Sequence, residues 1–368
     1  VEKLSNIYSE ILKLLKEGRW AAMATVIYKA GSGPRTEGAK CLVADGKVIF
    51  GSVGGGLVEA EACKAADRVI SSAKPMNLSF NLNGGKTDES GMLCGGEMKV
   101  FLEPLSPVKA ADLSLFEKLE DIFSRRLHGV LVTVIDENKW NQDAAAPKMF
   151  IEHGGSVTGS LGSLSDVDLG GVFEDFFSSK YPEVRHVKDA SGIPTALFIE
   201  PVIRHHILYV FGGGHVSKAV AAVAGIVDFE VVVVDDRPEY SRVEDFPQAS
   251  KVLCMPFDSV LDRLAVDEFS FLLIATRGHM HDMEVLTQAL RSDAGYIGMV
   301  GSVRKRGEII RRLVGSGFTE DDFKKVYSPV GIDIGAETPE EIAVSITAQI
   351  IRFRADSFEE KKRKVALL

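Results

Sequence analysis

Cysteine is scarce in this chain. Its 368 residues include four, Cys41, Cys63, Cys94 and Cys254, scattered and without a CxxC pair. That is too few for a disulfide scaffold and wrongly spaced for a structural zinc site. It also excludes the cysteine sets that iron–sulfur clusters need. No apolar run approaches the roughly 20 residues of a membrane-crossing helix, so no membrane span is expected. A signal-peptide pattern is missing too. Leu4, Ile7, Ile11, Leu12 and Leu15 instead recur at helical spacing among Glu and Lys, as in an amphipathic helix. The expected location is a reducing cytoplasm. Positive charge is in deficit, with 43 Lys and Arg against 52 Asp and Glu and a formal net charge of −9. That balance argues against a broad nucleic-acid or anionic-membrane surface and still allows one local basic pocket.

What is present is ordinary globular material, 45% hydrophobic and 26% charged, in a length that supports two or three cores. Two segments of the first half repeat one plan. Thr25-Val26-Ile27 matches Thr133-Val134-Ile135 at an offset of 108, which also relates Lys40 to Lys148, Gly46 to Gly154 and Gly51-Ser52 to Gly159-Ser160. The copies end on Phe101-Leu102-Glu103-Pro104 and Phe198-Ile199-Glu200-Pro201, at an offset of 97. The second copy keeps apolar strands and turn glycines and loses the unusual residues. Gly31-Ser32-Gly33-Pro34-Arg35 faces Lys139-Trp140-Asn141-Gln142-Asp143, and Gly54-Gly55-Gly56 faces Gly162-Ser163-Leu164. Cys94-Gly95-Gly96 has no counterpart. The first copy is therefore expected to carry chemistry and the second to be structural.

From His206 the pattern changes to alternating strands and helices. Ile207–Phe211 reads as a buried strand, followed by Gly212-Gly213-Gly214-His215-Val216-Ser217 and a small-residue helix over Ala219–Ala224. A second strand over Glu230–Val234 ends in Asp235-Asp236-Arg237. This is G-x-G-x-x-S between a strand and a helix, with an acid about twenty residues on, the arrangement that binds a dinucleotide. Gly212 permits the tight turn, Gly214 lets the backbone approach a pyrophosphate, and the helix N-terminus offers amides to an anion. Asp235 or Asp236 would accept from a ribose hydroxyl. Arg237 would suit a ribose phosphate, and the acid pair favours the hydroxyl. Further strands lead into Arg277-Gly278-His279 and Gly301-Ser302, and Thr338-Pro339-Glu340-Glu341 opens the last helix as a capping box. His279-x-His281-Asp282 has metal-ligand chemistry, but two loop histidines two apart close no site, and hydrogen bonding is preferred. A doubly wound parallel sheet is the expected fold of this half.

These motifs together resemble the XdhC/CoxI family of accessory factors for xanthine dehydrogenase, carbon-monoxide dehydrogenase and related molybdenum hydroxylases. The resemblance rests on Gly31-Ser32-Gly33-Pro34-Arg35, Gly54-Gly55-Gly56-Leu57-Val58-Glu59 and Cys94-Gly95-Gly96 at one end. At the other it rests on Gly212–Val216, Asp235-Asp236-Arg237-Pro238-Glu239, Thr276-Arg277-Gly278-His279 and the stretch from Gly331 to Ala336. It implies an α/β N-terminal domain of that family (1–105) and a Rossmann domain (204–355); the offsets place the degenerate repeat (106–203) between them, a departure from the shortest family members, and a charged tail (356–368) follows. It also implies binding of the molybdenum cofactor, as molybdopterin or its cytosine dinucleotide form, its protection during sulfuration, and insertion into an apo molybdenum hydroxylase. The expected partners are that apoenzyme and a sulfur-transferring enzyme, and the expected assembly is a homodimer.

For an anionic pterin phosphate with a dithiolene-bound metal, Arg35, the amides of Gly54–Gly56, Glu59 and Cys94 supply a cation, a backbone cradle and a soft ligand. Cys94, between Leu93 and two glycines, is the candidate catalytic and metal-binding residue. Gly212, Gly213, Gly214, His215, Val216, Asp235, Asp236, Arg237, Arg277, Gly278 and His279 are the cofactor-binding candidates of the Rossmann half. Two other functions stay open: an NAD(P)-dependent oxidoreductase using the Rossmann domain, and a docking scaffold without ligand. A chaperone fits better than a catalyst, since no catalytic dyad stands out.

Overall fold

The computed structural model describes residues 6–31, 34–81, 96–125, 128–140, 147–153, 155–164, 181–188, 192–202 and 206–365. The chain divides into two compact units, one made chiefly of Ser5–Arg204 and the other of His205–Glu360.

The first unit holds two five-stranded antiparallel sheets. One contains β1 (Ala21–Gly31), β2 (Lys40–Ala44), β3 (Lys47–Gly51), β4 (Met76–Asn81) and β5 (Gly96–Leu105) in the order β3-β2-β1-β5-β4. The other contains β6 (Gly129–Val134), β7 (Lys148–Glu152), β8 (Val157–Ser160), β9 (Glu183–Lys188) and β10 (Pro194–Val202) in the order β8-β7-β6-β10-β9. The pairings agree residue by residue. Thr25 lies opposite Lys40 and Phe101, as Thr133 lies opposite Lys148 and Phe198. Gly51 and Gly159 occupy the same turn, at φ +72° and +90°, and in each a Cβ would sit 2.3 Å from the carbonyl oxygen of Lys40 or Lys148. Glycine is required there on both counts.

Alternation sets the faces of the first sheet. Ala22, Ala24 and Val26 of β1 pack under α2 (Gly56–Ser72), while Ala21 and Met23 face the core formed with α1 (Ile7–Lys16) and α3 (Ala110–Arg125). That second core also takes Leu131, Phe150 and Val202 from the other sheet. Two ion pairs cross between the copies: Lys40 Nζ to Glu200 Oε1 and Lys148 Nζ to Glu103 Oε1, each at 2.6 Å. The offsets that relate Lys40 to Lys148 and Glu103 to Glu200 thus relate the two bridges as well.

The second unit is a six-stranded parallel sheet: β11 (Ile207–Phe211), β12 (Glu230–Asp235), β13 (Lys251–Cys254), β14 (Ser270–Ile274), β15 (Tyr296–Met299) and β16 (Val326–Tyr327), in the order β13-β12-β11-β14-β15-β16. Helices cover both faces, so β11 reads as an unbroken apolar run. Its Ile207, Tyr209 and Phe211 pack with α5 (Gly278–Leu290) and α6 (Val303–Val314), and its Leu208 and Val210 with α4 (His215–Ile226) and α7 (Pro339–Val365). This is a doubly wound Rossmann fold. Helix α4 starts at His215, four residues earlier than the small-residue run indicates, because Gly214 serves as its N-cap. At the start of α7, Glu341 Oε2 accepts from the Thr338 amide at 3.1 Å and the Glu341 amide donates back to Thr338 Oγ1 at 3.3 Å. Among the described residues no helix is long and apolar enough to cross a membrane.

Candidate functional site

The chain leaves β11 toward one face and β14 toward the other, so the crevice between their C-terminal ends is the switch point where ligands bind in such sheets. Gly212, Gly213 and Gly214 turn there, and each has a different role. A Cβ on Gly212 (φ +108°) would lie 2.3 Å from the Ala275 carbonyl oxygen, and one on Gly213 would lie 2.0 Å from that of Tyr240. These two let neighbouring backbone close in. A Cβ on Gly214 would meet nothing within 4 Å, so this position faces open space. It also caps α4 without a side-chain hydrogen bond, which leaves the first-turn amides at His215 and Val216 turned toward the crevice.

Asp235 holds the turn from below. It is 1% exposed. Its Oδ2 accepts from the Gly213 amide at 2.7 Å and from an Arg237 guanidinium nitrogen at 3.0 Å, and its Oδ1 accepts from the Arg237 amide and Nε at 3.0 and 2.9 Å. Burial pushes its carboxyl up, but the hydrogen bonds from Arg237 and Gly213 prevail and hold it below the usual range. With four bonds made, Asp235 has no lone pair for a ribose, and of the two acids only Asp236 is left for a ligand. Arg237 is fixed as well, stacked 3.7 Å from the Tyr240 ring centroid. Asp236 Oδ2 pairs with Arg277 at 2.9 Å. His215, Arg277, Gly278 and His279 are exposed at the same edge.

Sequence reasoning missed a buried polar cluster beside this crevice. Asp282, fully buried, accepts from Thr276 Oγ1 at 2.7 Å and is bridged by Lys305, whose Nζ also donates to the Val300 carbonyl at 3.1 Å. It ties the starts of α5 and α6 to the ends of β14 and β15. The available signal was an aspartate on the apolar side of a helix. Its carboxylate serves Thr276 and Lys305, while His281 Nδ1 lies 3.2 Å from Glu284. Among the described residues no group of three or more His, Cys, Asp and Glu is arranged to hold a metal ion.

At the first sheet, the described parts of two motifs meet, Pro34-Arg35 and the turn at Gly54. Gly31 of β1 pairs with Gly96 of β5. The Pro34 ring lies where a Cβ on Gly54 would be, 2.6 Å away, which seats the loop on the glycine turn. Arg35 is exposed there. Cys94 lies outside the described residues. The glycine turn is already capped from within: Glu59 Oε1 accepts from Ser52 Oγ at 2.6 Å and from the Gly55 amide at 3.0 Å. The Ser52 hydroxyl, followed by the amides of Gly55, Val53 and Gly54, holds the Glu59 carboxyl below its usual range against the upward push of burial. The Gly55 amide is thus engaged from within the turn, and Glu59 Oε1 shapes that turn. Of the other cysteines, Cys41 is buried, with its thiol pushed up to about 12 chiefly by burial. Cys254 ends β13 exposed, although its apolar run suggests burial.

Comparison with known proteins adds the following. A family model described as the XdhC Rossmann domain matches residues 208–350, and one described as the XdhC and CoxI family matches residues 14–81. Between them they cover more than half of the chain, and neither covers the second sheet. A protein of Bacillus subtilis strain 168, named as a probable subunit of xanthine dehydrogenase, is 26% identical over 357 residues, covering 95% of this chain and 98% of that one. The uncharacterized protein YqeB of Escherichia coli strain K12 is 24% identical over 350 residues, 95% of this chain but 46% of that protein. This chain thus spans about half the length of that relative. A crystal structure of a xanthine dehydrogenase from Bacillus halodurans is similar at a TM-score of 0.75 with 26% identity, covering 94% of this chain and 96% of the other.

Proposed function

Because this chain belongs to the XdhC and CoxI family, we propose that it is an accessory factor that binds the molybdenum cofactor and delivers it, after sulfuration, to a xanthine-dehydrogenase-type hydroxylase. The single observation carrying the binding claim is Gly214. It is the one glycine of the turn whose Cβ direction is empty, at the start of α4, where no side chain hydrogen-bonds the first-turn amides. A phosphate or diphosphate placed there receives backbone amides, with Arg277, His215 and His279 around it. These residues fit the nucleotide or phosphate part of the cofactor. The cofactor carries its own dithiolene-bound metal, so the protein has only to hold and shield it. In the first copy, taken by itself, Arg35 is the candidate cation and Cys94 the candidate thiolate for handling the cofactor. Partner recognition, a cytoplasmic location and a homodimer belong to the same reading.

An NAD(P)-dependent oxidoreductase is the second reading, since the same turn suits either dinucleotide. Calorimetry with NAD, NADP and the cytosine dinucleotide form of molybdopterin separates the two. The accessory role expects the molybdopterin form to bind and Gly214→Leu to abolish it, because the leucine fills the space the phosphates need. Preferential binding of NAD or NADP overturns it.

A further inference from the structure

The pair between Arg277 and Asp236 connects two loops that do not adjoin. Asp236 follows β12 and Arg277 follows β14, and these strands flank β11 on opposite sides. With strands about 4.8 Å apart, a bridge between the two loops must cross the C-terminal end of β11, where Gly212 begins the turn. The 2.9 Å contact therefore spans the mouth of the crevice.

The two arginines nearby are held differently. Arg237 is fixed by its Nε and terminal nitrogen on Asp235 and by Tyr240 beneath it, with its side chain 20% exposed. Arg277 has its side chain 51% exposed and, among the described residues, holds only Asp236. Asp236 is the less exposed partner, at 19%, and its Oδ1 makes no hydrogen bond but lies 3.8 Å from Arg237 Nε. Arg237 is committed to Asp235 and stays in place, 3.8 Å from Asp236 Oδ1. Arg277, more exposed and held by one carboxylate, is the cation free to exchange.

We propose that Arg277 is the exchangeable cation of this crevice, held across the glycine turn by Asp236 until a ligand carrying a diphosphate takes it over. Asp236 then acts as a competitor that sets a threshold for binding, and not as a ribose acceptor. A diphosphate offers several charges and fork-shaped contacts to the half-exposed guanidinium, and so displaces a single carboxylate from it. A neutral or singly charged ligand does not. The crevice is thereby selective for polyanionic nucleotides. This rests on the reading of the crevice as a nucleotide site.

The test is calorimetry of the full chain with cytidine diphosphate and with cytidine, comparing wild type, Asp236→Asn, Arg277→Gln and the double variant. Removing the competitor is expected to tighten cytidine diphosphate binding about twofold to fivefold, the range of a partly exposed ion pair. Arg277→Gln is expected to weaken it by about tenfold or more, and the double variant to show no gain over Arg277→Gln alone. Cytidine should be indifferent to all three. Weaker binding by Asp236→Asn would show that Asp236 accepts from the ribose and overturn the exchange. Binding indifferent to every substitution would overturn the exchange and leave the nucleotide site standing. If no protein binds cytidine diphosphate, the nucleotide reading itself fails, and the exchange with it.

Discussion

Replacing Lys148 with methionine probes the two bridges that join the copies of the first unit. Lys148 and Glu103 have side chains 2% and 1% exposed, and Glu103 Oε2 has no hydrogen-bond partner. Methionine keeps the volume and removes the charge, leaving the buried carboxylate without its direct ion-pair partner. Breaking a buried pair from one side costs about 3–5 kcal/mol. For a unit of this size each kcal/mol moves Tm by about 2–4 °C, so a loss of about 6–20 °C is expected. The pH dependence has a definite sign. Burial already pushes the Glu103 carboxyl up, against the pull of Lys148 and Lys40, and without Lys148 it rises further. A raised folded-state pKa gives stability that is full below the unfolded value of about 4.3 and is lost as pH rises through the folded value. The Lys148→Met defect should therefore be small near pH 5 and large near pH 8. Adding Glu103→Leu should restore most of the loss, since an apolar replacement of the whole pair is close to neutral. Thermal unfolding at both pH values reads all three proteins. A single variant melting within a degree of wild type, or a double variant as poor as the single, refutes the reasoning.

Gly213→Ala should destabilise the Rossmann unit by about 1–3 kcal/mol, because its methyl meets the Tyr240 backbone. Gly214→Ala should leave Tm unchanged and weaken nucleotide binding, as thermal melts and calorimetry would show. Glu59→Gln weakens the internal cap of the glycine turn. Since the Glu59 pKa is depressed, the wild-type advantage should be full at neutral pH and vanish as pH falls through the folded pKa, read by melting from pH 7 to pH 3. Cys94→Ser should fold normally but carry less molybdenum and activate the partner enzyme less, measured by metal analysis and reconstitution. Equal loading and equal activation would make that cysteine structural.

Local chemistry was the legible part of the chain. The turn at Gly212–Gly214 and the capping box at Thr338–Glu341 depend on neighbours in sequence, and both stand in the structure. The repeat was legible because one offset relates Thr25, Lys40 and Gly51 to Thr133, Lys148 and Gly159, residues that share one register. Partners set by tertiary packing were not. Lys40 and Glu103 were visible as matched positions, but only the joining of the two sheets shows that each pairs with the opposite copy. Asp235 read as a ribose acceptor because its place after the strand is where such an acid sits, and its four internal bonds come from Gly213 and Arg237 folding back onto it. Glu59 was grouped with a ligand site for the same reason: a sequence does not show that a carboxylate turns back to cap its own helix.

The central claim is that the crevice at Gly214 holds the nucleotide or phosphate part of the molybdenum cofactor. Native mass spectrometry of the protein purified from a molybdenum-replete host tests it most directly, with wild type and Gly214→Leu side by side. The expected wild-type species is heavier by the mass of molybdopterin or its cytosine dinucleotide, with molybdenum present, beside a bare Gly214→Leu chain. A wild type carrying NAD or NADP, or one with cofactor retained equally by Gly214→Leu, would contradict it.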